Sequence, residues 1–418
     1  MLARAIICRG AAAIEINDGR SAPAARAIDS AYDHARSVSW PVPPFTQEHE
    51  DLRDSIRGFL QRELAPHAQR WEEERWFPNE VFGKLAAQGL LGLKYPAEYG
   101  GQGGDYLHES VLSEEMARVG SGGTAAGIGA HVNIATPPIW KFGSEEQKQR
   151  YLVPAIRGEK IGALGITEPG AGSDVASLRT RAERLDDGFL VNGEKTYITN
   201  GVRADFIVTA VKTTAEGGHH GISFLIIERG EGVSAAKLEK LGWHASDTAT
   251  IAFEDVFVPA ANLLGPLHEG FKLIMANFQW ERLAMALGAV GAMRLAWERT
   301  AAFAREREAF GRPLSGHQAI RHRLADLATS VYTCRCVTYD ALRRFVAGEE
   351  PISEVTMAKL LTQRACFELM DACLQIHGGA GYMREYWVER AARDARLGPI
   401  GGGSDEIMRE ILGRTLAL

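Results

Sequence analysis

Gly165-Ile-Thr-Glu-Pro-Gly-Ala-Gly-Ser-Asp174 and the shorter Tyr197-Ile-Thr-Asn-Gly201 say more than any other part of this 418-residue chain. In the first, Pro169, Gly170 and Gly172 forbid a continuous helix and leave a tight turn. Nearby backbone N–H groups and the hydroxyls of Thr167 and Ser173 are then free to face a ligand, and a flat polar ring suits such a lining. Tyr197 and Ile198 read as strand, which sets an aromatic face beside the hydrogen-bonding Thr199 and Asn200. Alone, Gly170 and Gly172 would equally serve a β-turn with no ligand. The chain on either side has to decide.

Upstream, the pattern is helical from Thr46: Leu52, Ile56, Phe59 and Leu60 recur at helix spacing, and Leu64-Ala-Pro66 closes the segment. Further helices fit residues 79–89, 106–119, 124–140 and 144–157. Between about 161 and 270 short strands take over, as in 189–194, 206–211, 222–227 and 250–253. After Gly270, residues 271–307, 315–348 and 354–378 carry apolar residues at three- and four-residue intervals, as a helical bundle needs. The expected domains are therefore a helical 45–160, a β 161–270 and a helical 271–418, in the α+β class. Residues 1–44 read as a loosely ordered extension.

A formal net charge of −6 argues against a nucleic-acid partner. Arg305, Arg307 and Arg312, or Arg321, His322 and Arg323, read as helix faces near a phosphate group. Five cysteines (Cys8, Cys334, Cys336, Cys366, Cys373) show no metal-ligand spacing, so no metal is expected and buried free thiols are. Cys334 and Cys336 point to different sides of a predicted helix; Cys366 and Cys373 share one apolar face. No apolar run approaches the roughly 20 residues of a membrane span. The Ala- and Arg-rich first 44 residues suggest a mitochondrial transit peptide, but Glu15, Asp18, Asp29 and Asp33 count against one, and a cytoplasmic protein is expected.

Four further blocks keep company with the opening two: Leu241-Gly-Trp243 with Ser246-Asp-Thr248, Phe310-Gly-Arg-Pro-Leu314 followed by Gln318, Gln375-Ile-His-Gly-Gly-Ala-Gly381, and Gly401-Gly-Gly-Ser-Asp-Glu-Ile407. In this order and spacing they resemble the acyl-CoA dehydrogenase family, from roughly residue 45 to the C-terminus. The resemblance implies a helical N-terminal domain, a barrel-like or sandwich β domain and a C-terminal four-helix bundle. It also implies FAD-dependent conversion of an acyl-CoA to the trans-2-enoyl-CoA, as in fatty acid β-oxidation. A homotetramer that passes electrons to an electron-transfer flavoprotein is implied too.

Such a reaction needs a base for the weakly acidic α-proton while a hydride leaves Cβ for the flavin N5. A carboxylate in a mostly apolar pocket meets the need, because desolvation lifts its pKa toward the working range. In most of the family that glutamate comes from a C-terminal motif, whose position falls on Gly402 here. In the long-chain and isovaleryl branch it comes from an earlier bundle helix, just before an arginine. Phe278-Gln-Trp-Glu-Arg-Leu283 matches that pattern, so the resemblance makes Glu281 the base and Arg282 its neighbour. Without the resemblance, Glu281 would read as a solvated helix carboxylate. The Gly402 N–H is expected to donate to the thioester carbonyl together with a ribityl hydroxyl, and the absence of side chains at Gly401 and Gly402 to leave space at the pocket floor.

Carried over residue by residue, Leu164, Thr167, Ser173, Tyr197 and Thr199 are similar to the isoalloxazine contacts, with Tyr197 standing where tryptophan is usual. Arg307, Phe310 and Gln318 resemble the pyrophosphate and adenosine contacts; the bland alternative for Arg307 is an ion pair within its own charged helix. Gln375, Ile376, His377, Gly378 and Gly379, with Ser404 and Glu406, are expected to meet a flavin held mainly by a neighbouring subunit, His377 by packing rather than chemistry. Substrate contacts are expected from Ser173, Trp243, Ser246, Phe278, Arg282, Gly401 and Gly402, with His244 where arginine is common. An oxidase or flavin monooxygenase on the same scaffold, or an inactive CoA-binding protein, are the rival readings.

Overall fold

The computed structural model describes residues 44–214 and 218–418; residues 1–43 of the expected extension, with Cys8, lie outside them. The first helix, Gln47–Glu63, turns Ile56, Phe59 and Leu60 inward, and Pro66 follows it in a short 3₁₀ turn. A second helix, Ala68–Glu74, was not visible as periodicity: in so short a segment only Ala68, Trp71 and Glu72 are buried. Glu80–Ala87 and Tyr106–Glu115 match the expected helices, the latter capped by Asp105, whose carboxylate accepts from the N–H groups of Leu107 and His108.

The two long helices expected over 124–140 and 144–157 are present as continuous helical runs, but each contains a π turn. Gly122–Gly129 and Thr136–Phe142 are joined by a π turn, Ala130–Ala135, and a second π turn, Lys148–Leu152, precedes Val153–Ile156. Prolines explain both: Pro137, Pro138 and Pro154 sit in the first α-helical turn after each π turn, where they lack an N–H for a partner upstream and the preceding turn widens.

Among the described residues the middle of the chain forms eight strands: β1 (Gly162–Gly165), β2 (Arg181–Arg184), β3 (Gly188–Ile198), β4 (Phe206–Lys212), β5 (Ile222–Glu228), β6 (Val233–Lys237), β7 (Ala249–Pro259) and β8 (Leu263–Leu264). They pair in the order β6-β7-β3-β2-β4-β5-β8, with β1 parallel to β4. Phe189, Val191, Ile207, Leu225, Ile251 and Phe253 meet in one core between strands from both ends of this path, so the sheet wraps over itself. The opposite face of β4 and β5, through Phe206, Val208, Phe224 and Ile226, packs on Tyr95, Ile139 and Tyr151 of the N-terminal layer and on Leu273. Buried on both faces, these two strands read as continuous apolar runs.

The C-terminal helices are α1 (Gly270–Glu306), α2 (Gln318–Val346), α3 (Ile352–His377), α4 (Trp387–Ala395) and α5 (Asp405–Thr415). α3 is the central strut, packed against each of the other four. Cys334, Cys366 and Cys373 are buried as free thiols, whereas Cys336 is exposed, because the side of α2 it occupies faces away from the core. A buried charged seam joins the N-terminal helices to the bundle: Arg53 donates to Glu114 (2.7 Å) and Glu115 (3.1 Å), and Tyr339 of α2 donates to Glu114 (2.5 Å). No described helix is long and apolar enough to cross a membrane.

Candidate active site

α1 carries Phe278, Glu281, Arg282 and Met285 along one side, and the loop between α4 and α5 brings Gly402 against them. A Cβ built on Gly402 would lie 3.8 Å from Oε1 of Glu281, so two residues 121 positions apart in sequence meet as expected. Glu281 is half-buried, but its Oε2 is closed off from solvent and has no hydrogen-bond partner among the described residues. Burial raises its pKa to about 7, against the opposing charges of Arg282 and Lys359. Arg282 is buried, donates through Nε to the Gly402 carbonyl (3.3 Å) and lies over the Phe278 ring (5.3 Å). Among the described residues the Gly402 N–H has no partner, so it remains a donor for a ligand.

One expectation fails here. The built Cβ on Gly402 would stand 2.4 Å from Sδ of Met285, and φ there is +64°, so the room expected at the floor is filled by a methionine. At Gly401 a Cβ would meet Leu397 only at ordinary contact distance (3.8 Å). Ser404 has a structural task as N-cap of α5, and Glu406 is exposed in its first turn. The neighbouring Asp405 is held by the Arg364 guanidinium at 2.5 Å, which commits it elsewhere.

The two opening segments lie side by side: the Thr196 N–H donates to the Thr167 carbonyl at 2.8 Å. Glu168, buried, accepts from the N–H groups of Arg179 (2.5 Å) and Thr180 (3.0 Å) and from Lys195 Nζ (2.7 Å), which staples the 168–180 loop to β3. Tyr197 lies in β3, as expected, but at an irregularity. It has φ +61° at a register shift between β3 and β7, a bulge that turns the ring outward to 69% exposure. Gly170 and Gly172 lack left-handed φ, and a Cβ on either would touch nothing; the space over them is open. Ser173 is exposed, Thr167 and Thr199 are half-buried, and Asn200 is turned inward, donating to the Gly127 carbonyl (2.8 Å). Leu164 and Phe278 pack against the same apolar cluster, which connects this open cradle to the helix of Glu281. An exposed ring, hydroxyls without partners among the described residues and a clear floor fit the planar, polar ring of a flavin.

Arg307 stands just past the end of α1, exposed, and no ion pair engages it among the described residues; its predicted helical partner is not used. Phe310 is 97% exposed with φ +52°, and Gln318 opens α2. No hydrogen bond, ion pair or ring contact among the described residues links these three to Thr167 or Tyr197. Gln375, Gly378 and Gly379 are exposed, whereas Ile376 and His377 are buried, so those two could offer a ligand only backbone. His377 packs as expected, stacked on Phe303 at 4.2 Å.

The 241–248 loop departs further. Ser246 is fully buried, with its hydroxyl accepting from Lys240 Nζ (3.0 Å), so it does not face a ligand. Trp243 is half-buried and its N–H donates to Asp394 (2.6 Å), a carboxyl that burial and the nearby Glu72 raise to about 7. His244 is joined by Arg393, 3.5 Å from its Nε2 and donating to the Leu241 carbonyl, so an arginine reaches this loop from α4. Sequence reasoning missed Asp394, Arg393 and Lys359, which act across long separations and leave no local signal. It also missed His49, Asp105 and His108, which cluster near the first helix. Their geometry is that of two helix caps, since His49 and His108 each accept a capping backbone N–H at Nδ1.

Three protein-family models match the chain: the N-terminal domain of acyl-CoA dehydrogenase over residues 46–159, its middle domain over 163–256 and its C-terminal domain over 268–417. Among curated relatives, the mitochondrial isovaleryl-CoA dehydrogenase of Solanum tuberosum is 38% identical over 89% of this chain and 91% of its own. The long-chain specific enzyme of Rattus norvegicus is 37% identical over 89% of this chain and 87% of its own. A crystal structure of a probable acyl-CoA dehydrogenase from Mycobacterium abscessus superposes with a TM-score of 0.86 at 44% identity, covering 89% and 99% of the two chains. An acyl-CoA dehydrogenase from Bacillus anthracis, solved with FAD, superposes at 0.83 with 32% identity, over 90% of this chain and 67% of its own.

Proposed function

The chain belongs to the acyl-CoA dehydrogenase family, and from that premise we propose that it oxidises an acyl-CoA thioester between Cα and Cβ, with Glu281 as the base. The observation that carries the assignment is a desolvated Glu281 oxygen, unpartnered among the described residues, on a side chain whose Oε1 comes within 3.8 Å of where a Cβ on Gly402 would stand. FAD is the family's cofactor and, when bound, accepts the hydride that leaves Cβ. Thr167, Ser173, Tyr197 and Thr199 would hold its ring, and Arg307, Phe310 and Gln318 its pyrophosphate and adenosine.

Glu281 takes the α-proton onto its carboxylate. With its pKa near 7, the base is about half ionised at neutral pH and basic enough for a weak carbon acid. Negative charge then gathers on the thioester oxygen, to which the Gly402 N–H would donate. Arg282 holds the Gly402 carbonyl, in the peptide that follows that N–H, and so anchors the glycine turn. We further place the enzyme as a homotetramer with electron-transfer flavoprotein as its electron acceptor, and in the cytoplasm on the acidic residues Glu15, Asp18, Asp29 and Asp33 of its N-terminal segment.

Anaerobic titration of the purified holoenzyme with straight and branched acyl-CoAs from C4 to C16 tests the reaction. A dehydrogenase bleaches the flavin absorbance with at least one of them and forms little peroxide in air. An unchanged spectrum across the series contradicts catalysis, and stoichiometric peroxide marks an oxidase.

A further inference from the structure

Lys359 lies in the N-terminal third of α3, fully buried, a costly place for an ammonium group. Its Nζ donates to the carbonyls of Gly398 (3.0 Å) and Gly403 (2.6 Å), which bracket the turn that presents Gly402. One helical turn further along α3, Gln363 donates through Nε2 to the Met285 carbonyl (2.7 Å), one turn beyond Glu281 on α1. Gly398 is required for this contact: a Cβ there would fall 2.1 Å from Gln363 Oε1. Arg282 closes the triangle by donating to the Gly402 carbonyl.

We propose that Lys359 is a positioning residue for proton abstraction: together with Gln363 it fastens the glycine turn and the base helix to one strut, and it sets a positive charge behind Glu281. This rests on the assignment of Glu281 as base. A methionine would fill the same volume with no desolvation cost, but it would leave both carbonyls without their donor and remove the charge. An arginine keeps the charge, but its planar fork cannot converge on both carbonyls as a tetrahedral ammonium does. The charged groups around Lys359 are Glu281 and Arg282 from α1 and Asp405 and Glu406 from α5, with Arg364 paired to Asp405; those facing Glu281 are Arg282 and Lys359. Burial brings Lys359 down to about 8, so it is charged where Glu281 titrates.

The test is the rate of anaerobic flavin reduction by a reactive acyl-CoA, measured against pH per mole of bound FAD, in holoenzyme carrying Lys359→Met, Lys359→Arg, Gln363→Leu or Glu281→Gln. In Lys359→Met the rate falls on the order of 10- to 100-fold through misplacement. Its ascending pH limb moves up by several tenths of a unit or more, because an opposite charge has left the carboxylate. In Lys359→Arg and Gln363→Leu the rate falls while the limb stays at its wild-type pH. A wild-type rate and limb in Lys359→Met overturns the proposal, as does a loss explained wholly by missing FAD with the limb unmoved. Should Lys359→Met fail to fold, wild-type rates in both Lys359→Arg and Gln363→Leu overturn it. A Glu281→Gln enzyme that reduces at the wild-type rate sinks the base assignment instead, whatever the Lys359 variants do.

Discussion

Glu281 ionises against its surroundings, and that fixes the sign of its effect on stability. Its carboxyl titrates at about 7 in the folded chain against 4.5 for an ordinary glutamate, because burial outweighs Arg282 and Lys359. The folded state therefore favours the protonated form: this stabilisation is complete below about 4.5 and is lost as pH rises through about 7. Glu281→Gln, neutral at every pH, should melt higher than wild type at pH 8, by roughly 1–3 kcal/mol, and the gap should close toward pH 5; scanning calorimetry at both pH values shows it, and equal melting at pH 8 contradicts it. Gly402 supplies a second prediction. Gly402→Glu in a Glu281→Gln background should leave flavin reduction unrestored, because Met285 occupies the path of the new side chain and the left-handed backbone strains it. Adding Met285→Ala should recover part of the rate, with a shift toward shorter acyl chains; full rescue by Gly402→Glu alone would show that the methionine gives way freely. Of these residues, Glu281 was singled out only through the family resemblance, since its place before Arg282 alone reads as a solvated helix carboxylate. Met285 was not, since a methionine on a long apolar helix says nothing about which glycine it meets.

The 168–180 loop depends on one buried ion pair. Glu168 accepts from Lys195 and two backbone N–H groups, and although burial pushes its pKa up, these partners hold it below the ordinary range. Its contribution to stability is present above that range and lost as pH falls through the lowered pKa. Lys195→Met leaves a buried carboxylate without its counter-charge, which costs on the order of 3–5 kcal/mol, and frees the loop beside Tyr197. FAD content after gel filtration should fall well below that of wild type while Glu281→Gln retains full content; unchanged occupancy would remove the loop from the cofactor site. At this scale β4 and β5 could be read from sequence because both faces are buried, and α1 to α3 because their periodicity runs long. β1, β2, β6 and β8 were too short, and the bulge at Tyr197 depends on β7, about fifty residues away, so no local pattern announces it.

Across the whole chain the sequence of layers was readable from the switch between helical and strand periods, and α4 and α5 were lost because each follows glycine-rich turns that mask a short pattern. The proposed homotetramer follows from placing Gln375 to Gly379 of one subunit and Arg307 of another around the same flavin. Light scattering should give a tetramer, or at least a dimer, and mass spectrometry of the released cofactor should give FAD; a fully loaded monomer or FMN alone would undo the role given to Arg307 and Gln318. The proposed chemistry needs a carboxylate on α1 to do the work that a glycine at 402 cannot. Single-turnover anaerobic mixing of Glu281→Gln holoenzyme with the best acyl-CoA substrate addresses it most directly. The predicted result is normal FAD content with flavin reduction slowed by roughly 10²-fold or more; reduction at the wild-type rate would contradict it.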